Sequence, residues 1–304
     1  TTERTAVCCL SSVNLEEYDE WKDNDQFIPD LVRMLDNVLD FFIENAPDEL
    51  YRAKLSAERE RSIGLGAMGF HAFLQRHNIP FESVLAKGAN NRMFTRIKSE
   101  AVRATRELAV ERGECPDGVG SGVRNAHLLA VAPNASSSII CGNTSPSIEP
   151  YRANAFTQKT KSGSSLLKNE YLEHALDEID QNTDEVWKSI ITSNGSCQHL
   201  DFLDDYTKEV FKTAVEIDQR WVIEFAADRQ KHICQSQSLN VFFPGNVSKQ
   251  ELHAVHMMAW KQGVKTMYYL RSEALKRAET VSDEVLREYM FDSIDENACL
   301  ACEG

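Results

Sequence analysis

The chain has 304 residues, of which 42% are hydrophobic and 26% are charged, and its formal net charge at pH 7 is −14. This composition is typical of a globular protein that is long enough for one large core or two smaller ones. The acidic balance argues against a nucleic-acid surface, which needs clustered Lys and Arg. No run of about eighteen apolar residues occurs, so we expect no membrane span.

The eight cysteines are too sparse for a disulfide scaffold and show no repeated metal-ligand spacing. We therefore expect a cytoplasmic protein with mostly reduced thiols and no bound metal. Cys299 and Cys302 have Cys-x-x-Cys spacing on an acidic tail, where two thiols can form a disulfide or bind a soft metal. A zinc site needs four ligands, so we favour redox exchange over half a zinc site or an inert tail.

The hydrophobic pattern predicts short strands that alternate with helices. Helices are predicted over 27–45, 53–61, 63–74, 91–112, 206–229 and 248–262. Strands are predicted over 5–13, 125–132, 238–243 and 264–270, with one more near 148–154. This alternation indicates parallel βα units, in which crossover helices cover the sheet. We place a domain boundary near Thr280, between a domain over 1–279 and an acidic tail over 280–304.

The segment 64–69 (GLGAMG) matches G-x-G-x-x-G, the fingerprint of a dinucleotide-binding loop. The strand that must precede such a loop is missing, because the charged helical stretch Glu58–Ser62 comes first. We therefore interpret these glycines as positions of close helix packing and not as a nucleotide site.

The segment 133–138 (PNASSS) follows the predicted strand 125–132 and is rich in hydroxyls and small side chains. A turn at the carboxyl end of a strand exposes backbone N–H groups, and hydroxyls add donors, so this segment suits a phosphate group. A serine-rich turn that caps the next segment explains the same residues equally well.

Two pairs of neighbouring residues lie in predicted strands, where neighbours point to opposite faces. Of Cys8 and Cys9, one can therefore face an active site while the other packs. Tyr268 and Tyr269 can bridge two environments in the same way. Core packing with one hydrogen-bonded hydroxyl is the ordinary explanation of such tyrosines. A phenol can also lose an electron and a proton, which makes electron transport the functional alternative.

Six features occur in a characteristic order: 6–11 (AVCCLS), 132–138 (APNASSS), 142–150 (GNTSPSIEP), 235–240 (QSQSLN), 260–271 (WKQGVKTMYYLR) and the cysteine pair of the tail. Each is modest alone, but the ordered set is specific. On these runs the chain resembles the large, catalytic subunit of class I ribonucleotide reductase over nearly its whole length.

The resemblance implies a ten-stranded α/β barrel of two five-stranded halves. This chain would supply the second half, with its surrounding helices and a flexible carboxy-terminal tail. The implied reaction is the radical-based reduction of ribonucleotides to deoxyribonucleotides. The family's Asn-x-Cys-x-Glu loop, which carries the radical-bearing cysteine, does not occur in the 304 residues. We therefore expect a carboxy-terminal portion, either of a naturally split subunit or of a truncated one, that is inactive alone. A non-catalytic binding or regulatory relative is the alternative.

The resemblance also implies roles for individual residues around the substrate. Cys8 corresponds to one of two thiols that oxidise to a disulfide as the ribose 2′-hydroxyl is removed, and its partner belongs to the first half. The substrate diphosphate would be held by Pro133, Asn134, Ala135, Ser136 and Ser137.

The remaining implied roles concern electrons and partners. Tyr269 would receive a radical from the metal-containing small (beta) subunit, and Tyr268 would pass it on. Cys299 and Cys302 would re-reduce the active-site disulfide and then be reduced by thioredoxin or glutaredoxin. The expected partners are thus the amino-terminal part of the large subunit, the small subunit, these reductants and a ribonucleotide. No cofactor is expected on this chain itself.

Overall fold

The computed structural model describes residues 1–160 and 163–272, in which helices predominate and the strands are short. The strands are β1 (Leu10–Asn14), β2 (Gly64–Met68), β3 (Ala155–Thr160), β4 (Gly163–Lys168), β5 (Val241–Phe243) and β6 (Leu270–Ser272). The helices are α1 (Tyr18–Trp21), α2 (Phe27–Asn45), α3 (Tyr51–Glu60), α4 (Phe70–Arg76), α5 (Val84–Arg112), α6 (Ala135–Ile140), α7 (Glu170–Asp177), α8 (Asp184–Thr192), α9 (Asp205–Val210), α10 (Gln219–Gln230) and α11 (Lys249–Lys261). Short 3₁₀ turns occupy Asp48–Leu50 and Pro116–Gly118.

Parallel pairing joins five segments in their chain order. β1 pairs with β2, and β5 pairs with β6. Parallel bridges at Leu65–Leu129 and Val131–Gln237 connect the two pairs through the segment 127–131. The predicted parallel βα organisation is therefore confirmed, although the predicted strand 125–132 contributes only bridges. The predicted strand over 264–270 is wrong except at Leu270, where β6 begins.

The prediction of one helix over 63–74 is wrong in its first half, which forms the buried strand β2. Gly69 then turns the chain with φ +80° before α4 begins. A Cβ atom on Gly66 would lie 2.3 Å from the carbonyl oxygen of Ala130. The missing side chain is therefore what lets the neighbouring segment approach β2. The glycines therefore serve strand packing and not the predicted helix packing. Gly64 and Gly66 lie within β2, so they do not form the turn between strand and helix that a dinucleotide-binding loop requires.

The long helix predicted over 206–229 is also wrong, because the chain leaves the helix between α9 and α10. The backbone N–H of Ala214 donates to the carbonyl of Tyr151 at 2.8 Å, outside any helix. The N–H of Thr213 donates to Glu216 Oε2 at 2.7 Å. The carboxylate of Asp218 then caps α10 by accepting from the N–H of Arg220. Local hydrogen bonds thus override a helical hydrophobic period.

Two hydrophobic clusters stabilise the described part of the chain. The larger one is formed where α2, α5 and α10 pack against the parallel segments, and it includes Val32, Leu65 and Phe225. The smaller one surrounds Leu172 and Trp187, beside the antiparallel β3–β4 hairpin. The sequence pattern did not predict the hairpin, α7 or α8. The predicted boundary near residue 280 lies outside the described residues and stays a prediction.

A buried ionic network fixes α2 to the neighbouring helices. Asp36 is fully buried and lies 2.8 Å from Arg61, 3.0 Å from Arg112 and 3.4 Å from Arg124. Burial alone would raise the pKa of Asp36, but Arg61 and Arg124 outweigh it and the pKa is lowered. Arg61 is the residue at which α3 ends, so the network links the end of α3 to α2. None of the helices in the described ranges is long and apolar enough to cross a membrane.

Candidate active site

Cys8 and Cys9 precede β1 and face opposite environments, as their positions in the sequence predicted. Cys8 is exposed, whereas Cys9 is buried and its Sγ lies 3.6 Å from the carbonyl oxygen of Leu35 on α2. Burial raises the pKa of the Cys9 thiol. Cys9 is therefore a packing residue, and Cys8 is the solvent-exposed thiol of the two.

A hydrogen bond connects the Cys8 strand to the segment 133–138. Ser12 lies in β1, four residues after Cys8. Ser12 Oγ donates to Asn134 Oδ1 at 3.1 Å, and Asn134 Nδ2 donates to Ser137 Oγ at 3.2 Å. The structure thus places the exposed thiol and the hydroxyl-rich segment on adjoining elements.

The segment 133–138 is the start of a helix and not the predicted turn alone. Asn134 adopts the left-handed region with φ 54°, and α6 begins at Ala135 without a side-chain cap. Ala135 and Ser136 are exposed, while Pro133 and Ser137 are half-buried. The first turn of a helix leaves backbone N–H groups without intrahelical partners. Donors therefore remain at the exposed end of this segment.

Tyr268 and Tyr269 come before β6 and contact each other, so the prediction that they face opposite sides of a strand is wrong. Their ring centroids are 4.3 Å apart, with 53° between the ring planes. The N–H of Tyr268 donates to the carbonyl of Leu239, and the carbonyl of Tyr269 accepts from the N–H of Val241. The side chains are 42% and 37% exposed, which does not fit simple core packing.

A buried carboxyl group lies behind the tyrosine pair. Asn240 Nδ2 donates to Glu149 Oε1, and Asn240 Oδ1 accepts from the backbone N–H of Tyr269 at 3.0 Å. Burial raises the pKa of Glu149 to about 7, against the opposing effects of Arg152 and Arg271. The Arg271 guanidinium carbon lies 5.0 Å from the centre of the Tyr269 ring. The Asn240 carboxamide therefore ties the tyrosine backbone to a carboxyl group that titrates near neutrality.

Sequence reasoning assigned no role to Ser12, Glu149 or Asn240. Glu149 and Asn240 both lie in the runs that carried the resemblance, which was the available signal. Their contact could not be predicted, because 91 residues separate them. The predicted redox residues Cys299 and Cys302 lie outside the described residues. Within residues 1–160 and 163–272, no group of three or more His, Cys, Asp or Glu could hold a metal ion.

The described part of the chain thus consists of parallel strands joined by helices, with polar groups near the strand ends, which is an α/β organisation. A family profile described as "Ribonucleotide reductase, barrel domain" matches residues 1–121 and 117–270. The chain therefore belongs to the ribonucleotide reductase family.

Similar proteins include large subunits of viral ribonucleoside-diphosphate reductases. The chain is 52% identical over 299 residues to the large subunit of Invertebrate iridescent virus 6, with 97% of this chain and 31% of the relative covered. It is 50% identical over 305 residues to a putative large subunit of Frog virus 3, with 99% and 53% covered. The solved class Id ribonucleotide reductase alpha subunit of Actinobacillus ureae matches with a TM-score of 0.84 and 40% identity, over 90% of this chain and 51% of that one. The chain thus spans between about a third and about half of these relatives.

Proposed function

We propose that this chain is the carboxy-terminal part of a ribonucleoside-diphosphate reductase catalytic subunit. It would contribute to the radical-based reduction of ribonucleotides to deoxyribonucleotides. The observation that carries this proposal is the hydrogen bond between Ser12 and Asn134, which links the strand of an exposed thiol to a hydroxyl-rich segment. The names of the viral relatives and the family match support the same reaction.

The proposed architecture is the second, five-stranded half of a ten-stranded barrel. Five parallel segments in chain order support it. In the described part of the chain, β1 pairs only with β2 and β6 only with β5, so each outer strand has an open side. An open edge is a site for pairing with another chain. The amino-terminal part of the large subunit would occupy both edges and supply the radical-bearing cysteine.

The proposed role of Cys8 is to supply one of two reducing thiols. Cys8 and a thiol of the other half would lose two electrons and two protons and form a disulfide. The ribose would take up these two electrons and two protons: its C2′–O bond would break, the hydroxyl would leave as water, and C2′ would gain a hydrogen. Cys299 and Cys302 would then restore the two thiols by thiol–disulfide exchange and would themselves be reduced by thioredoxin or glutaredoxin.

The proposed diphosphate site comprises the residues at the start of α6, namely Pro133, Asn134, Ala135, Ser136 and Ser137. The Asn134 carboxamide already contacts Ser12 and Ser137. Backbone N–H groups and the exposed Ser136 hydroxyl are therefore better suited than the Asn134 side chain to bind phosphate oxygens.

Tyr269 and Tyr268 are proposed to pass an oxidising equivalent inward from the small (beta) subunit. Each phenol would lose an electron and a proton in turn. Ring contact at 4.3 Å and partial exposure support this role, because the pair is accessible to a partner. The metal that generates the radical would belong to the small subunit, and this chain would bind no cofactor of its own.

We also infer a cytoplasmic location, in which thiols stay reduced. All six cysteines in the described residues are free, which supports it.

The proposed function is tested by mixing this chain with the amino-terminal part of a large subunit, a small subunit and a ribonucleoside diphosphate. We expect deoxynucleotide only from the complete mixture, and none when Tyr268→Phe or Tyr269→Phe replaces the wild-type chain. Unchanged circular dichroism of the variants controls for folding. A mixture that assembles but whose function does not depend on either tyrosine would favour a non-catalytic, regulatory relative instead.

A further inference from the structure

Helix α2 has two apolar faces, of which only one is covered. Val32, Leu35 and Leu39 are buried in the larger hydrophobic cluster. Three further residues on the same helix face solvent with four- and three-residue spacing, which puts them on one side of a helix. These are Met34, Val38 and Phe41, with side chains 43%, 49% and 69% exposed, and they are called the α2 stripe below.

The α2 stripe lies on the flank that is turned away from α5. The α5 side of α2 is marked by Arg33, which lies 2.8 Å from Glu111, and by Asn37, which contacts Arg112. The partly buried Leu31 and Phe42 extend the stripe away from that side. The carbonyl oxygen of Leu35, on the buried face, lies 3.6 Å from Cys9 Sγ, so the segment that leads into β1 lies against the buried face and the stripe is on the solvent side.

The position of α2 among the helices indicates what covers the stripe. α2 packs on α5 and on α3, the helix that follows it in the chain, while α5 packs on α10 and α10 on α11. Neither neighbour of α2 covers the stripe, because its three residues are exposed. β1, which α2 also contacts, pairs only with β2 in the described part of the chain. In an α/β barrel the helices form a continuous layer around the sheet. A helix that covers the stripe would continue this layer beside the open edge of β1, and the relatives have further residues to provide it, since this chain covers 31% and 53% of the two viral large subunits.

The charges beside the stripe restrict the chemistry of that helix. Asp30 and Glu44 are exposed on α2, and the whole chain carries a net charge of −14. A second copy of this chain would bring the same acidic groups together across the contact. A helix with an apolar stripe and flanking Lys or Arg residues is complementary to this surface.

We propose that the α2 stripe is the docking surface for an amphipathic, basic-flanked helix of the remaining part of the large subunit. This proposal rests on the proposed function, since it requires that the chain completes such a subunit. The stripe would form a second contact with that part of the subunit, in the outer layer of helices, in addition to the strand edges that would pair to close the barrel.

The test uses this chain and a polypeptide comprising the part of the Invertebrate iridescent virus 6 large subunit that precedes its match to this chain. Val38→Glu and Phe41→Glu put a charge into the proposed contact, and we expect each to raise the dissociation constant about 100-fold, as a central contact residue does. Val84→Glu is the matched control, because Val84 is 78% exposed at the far end of α5. We expect it to change the constant less than about twofold, as for residues outside a contact.

The variants replace exposed residues, so their unfolding transitions should match that of the wild-type chain. Equal binding by Val38→Glu and Val84→Glu would overturn the docking surface while leaving the proposed function intact. Failure of the wild-type chain to bind would overturn both. Sedimentation of the chain alone checks the alternative occupant, a second copy of this chain. A dimer that Val38→Glu converts to monomer would assign the stripe to that second copy and overturn the proposal.

Discussion

Replacing Glu149 by glutamine should remove a pH dependence that the buried carboxyl group imposes on stability. Glu149 is 3% exposed, and burial raises its pKa from 4.5 to about 7. The folded state therefore holds this proton more tightly than the unfolded state. As pH rises from about 4.5 to about 7, the wild-type chain should lose stability, and the loss should be complete above that range.

The magnitude follows from the size of the pKa difference. The difference between a pKa of 4.5 and a pKa of about 7 corresponds to about 3 kcal/mol, because each pH unit between the two values contributes about 1.36 kcal/mol. The glutamine side chain of the Glu149→Gln variant does not titrate, keeps the shape of the original side chain and can still accept the hydrogen bond from Asn240. The variant should therefore gain about 3 kcal/mol relative to the wild-type chain between pH 4.5 and pH 8.

The assay is urea unfolding of both chains at several pH values, followed by circular dichroism. The titratable groups that both chains share contribute equally to the two free energies of unfolding, so their effects cancel in the difference. Gly88→Ala within α5, which changes no titratable group, should give a difference that is constant with pH. Parallel curves for Glu149→Gln and the wild-type chain would refute the reasoning, because they would show that the carboxyl group is not buried behind the tyrosine pair.

Three further outcomes test other parts of the account. Burial lowers the pKa of His71 to about 3, so stability should fall by about 3 kcal/mol as pH drops from 6.5 to 4, and urea unfolding of His71→Asn should lack that loss. Gly66→Ala should cost about 3 kcal/mol because its Cβ meets the carbonyl of the next segment, whereas Gly88→Ala within α5 should gain about 1 kcal/mol. Thermal unfolding compares the two, and a stable Gly66→Ala would contradict the strand pairing. Ser12→Ala should remove the hydrogen bond to Asn134, worth about 1 kcal/mol, that holds the proposed diphosphate site at the start of α6. A several-fold higher KM in the complete mixture would show it, and an unchanged KM would count against the link.

The most regular parts of the fold could be predicted from the sequence. The helix predicted over 27–45 has the bounds of α2, and the helix predicted over 248–262 extends one residue beyond α11 at each end. Both predictions are correct because apolar residues recur at helical spacing along each segment, which is the strongest sequence signal for a helix. The exposed Cys8 beside a buried Cys9 agrees with strand alternation, because the hydrogen bond from the N–H of Gly64 to the carbonyl of Cys9 extends the β1–β2 pairing to this residue.

The failures occur where tertiary contacts decide the conformation. β2 consists of five buried residues (GLGAM) whose apolar pattern does not distinguish a strand from a helix. They form a strand because the segment 127–131 packs closely against Gly66. The tyrosine pair lies just outside β6, so strand alternation does not apply to it. The contacts of Asn240 with Glu149 and Tyr269 join distant parts of the sequence, and no local pattern encodes them.

The central claim is that Cys8 completes an active site together with a thiol from another polypeptide. The direct measurement is one turnover of the complete mixture with a chain in which Cys299→Ser and Cys302→Ser block re-reduction. Free thiols are then alkylated, and the digest is examined by mass spectrometry. The account predicts a disulfide between the Cys8 peptide and a peptide of the amino-terminal part, equal in amount to the deoxynucleotide formed. Deoxynucleotide formation with Cys8 still alkylated as a free thiol would contradict it.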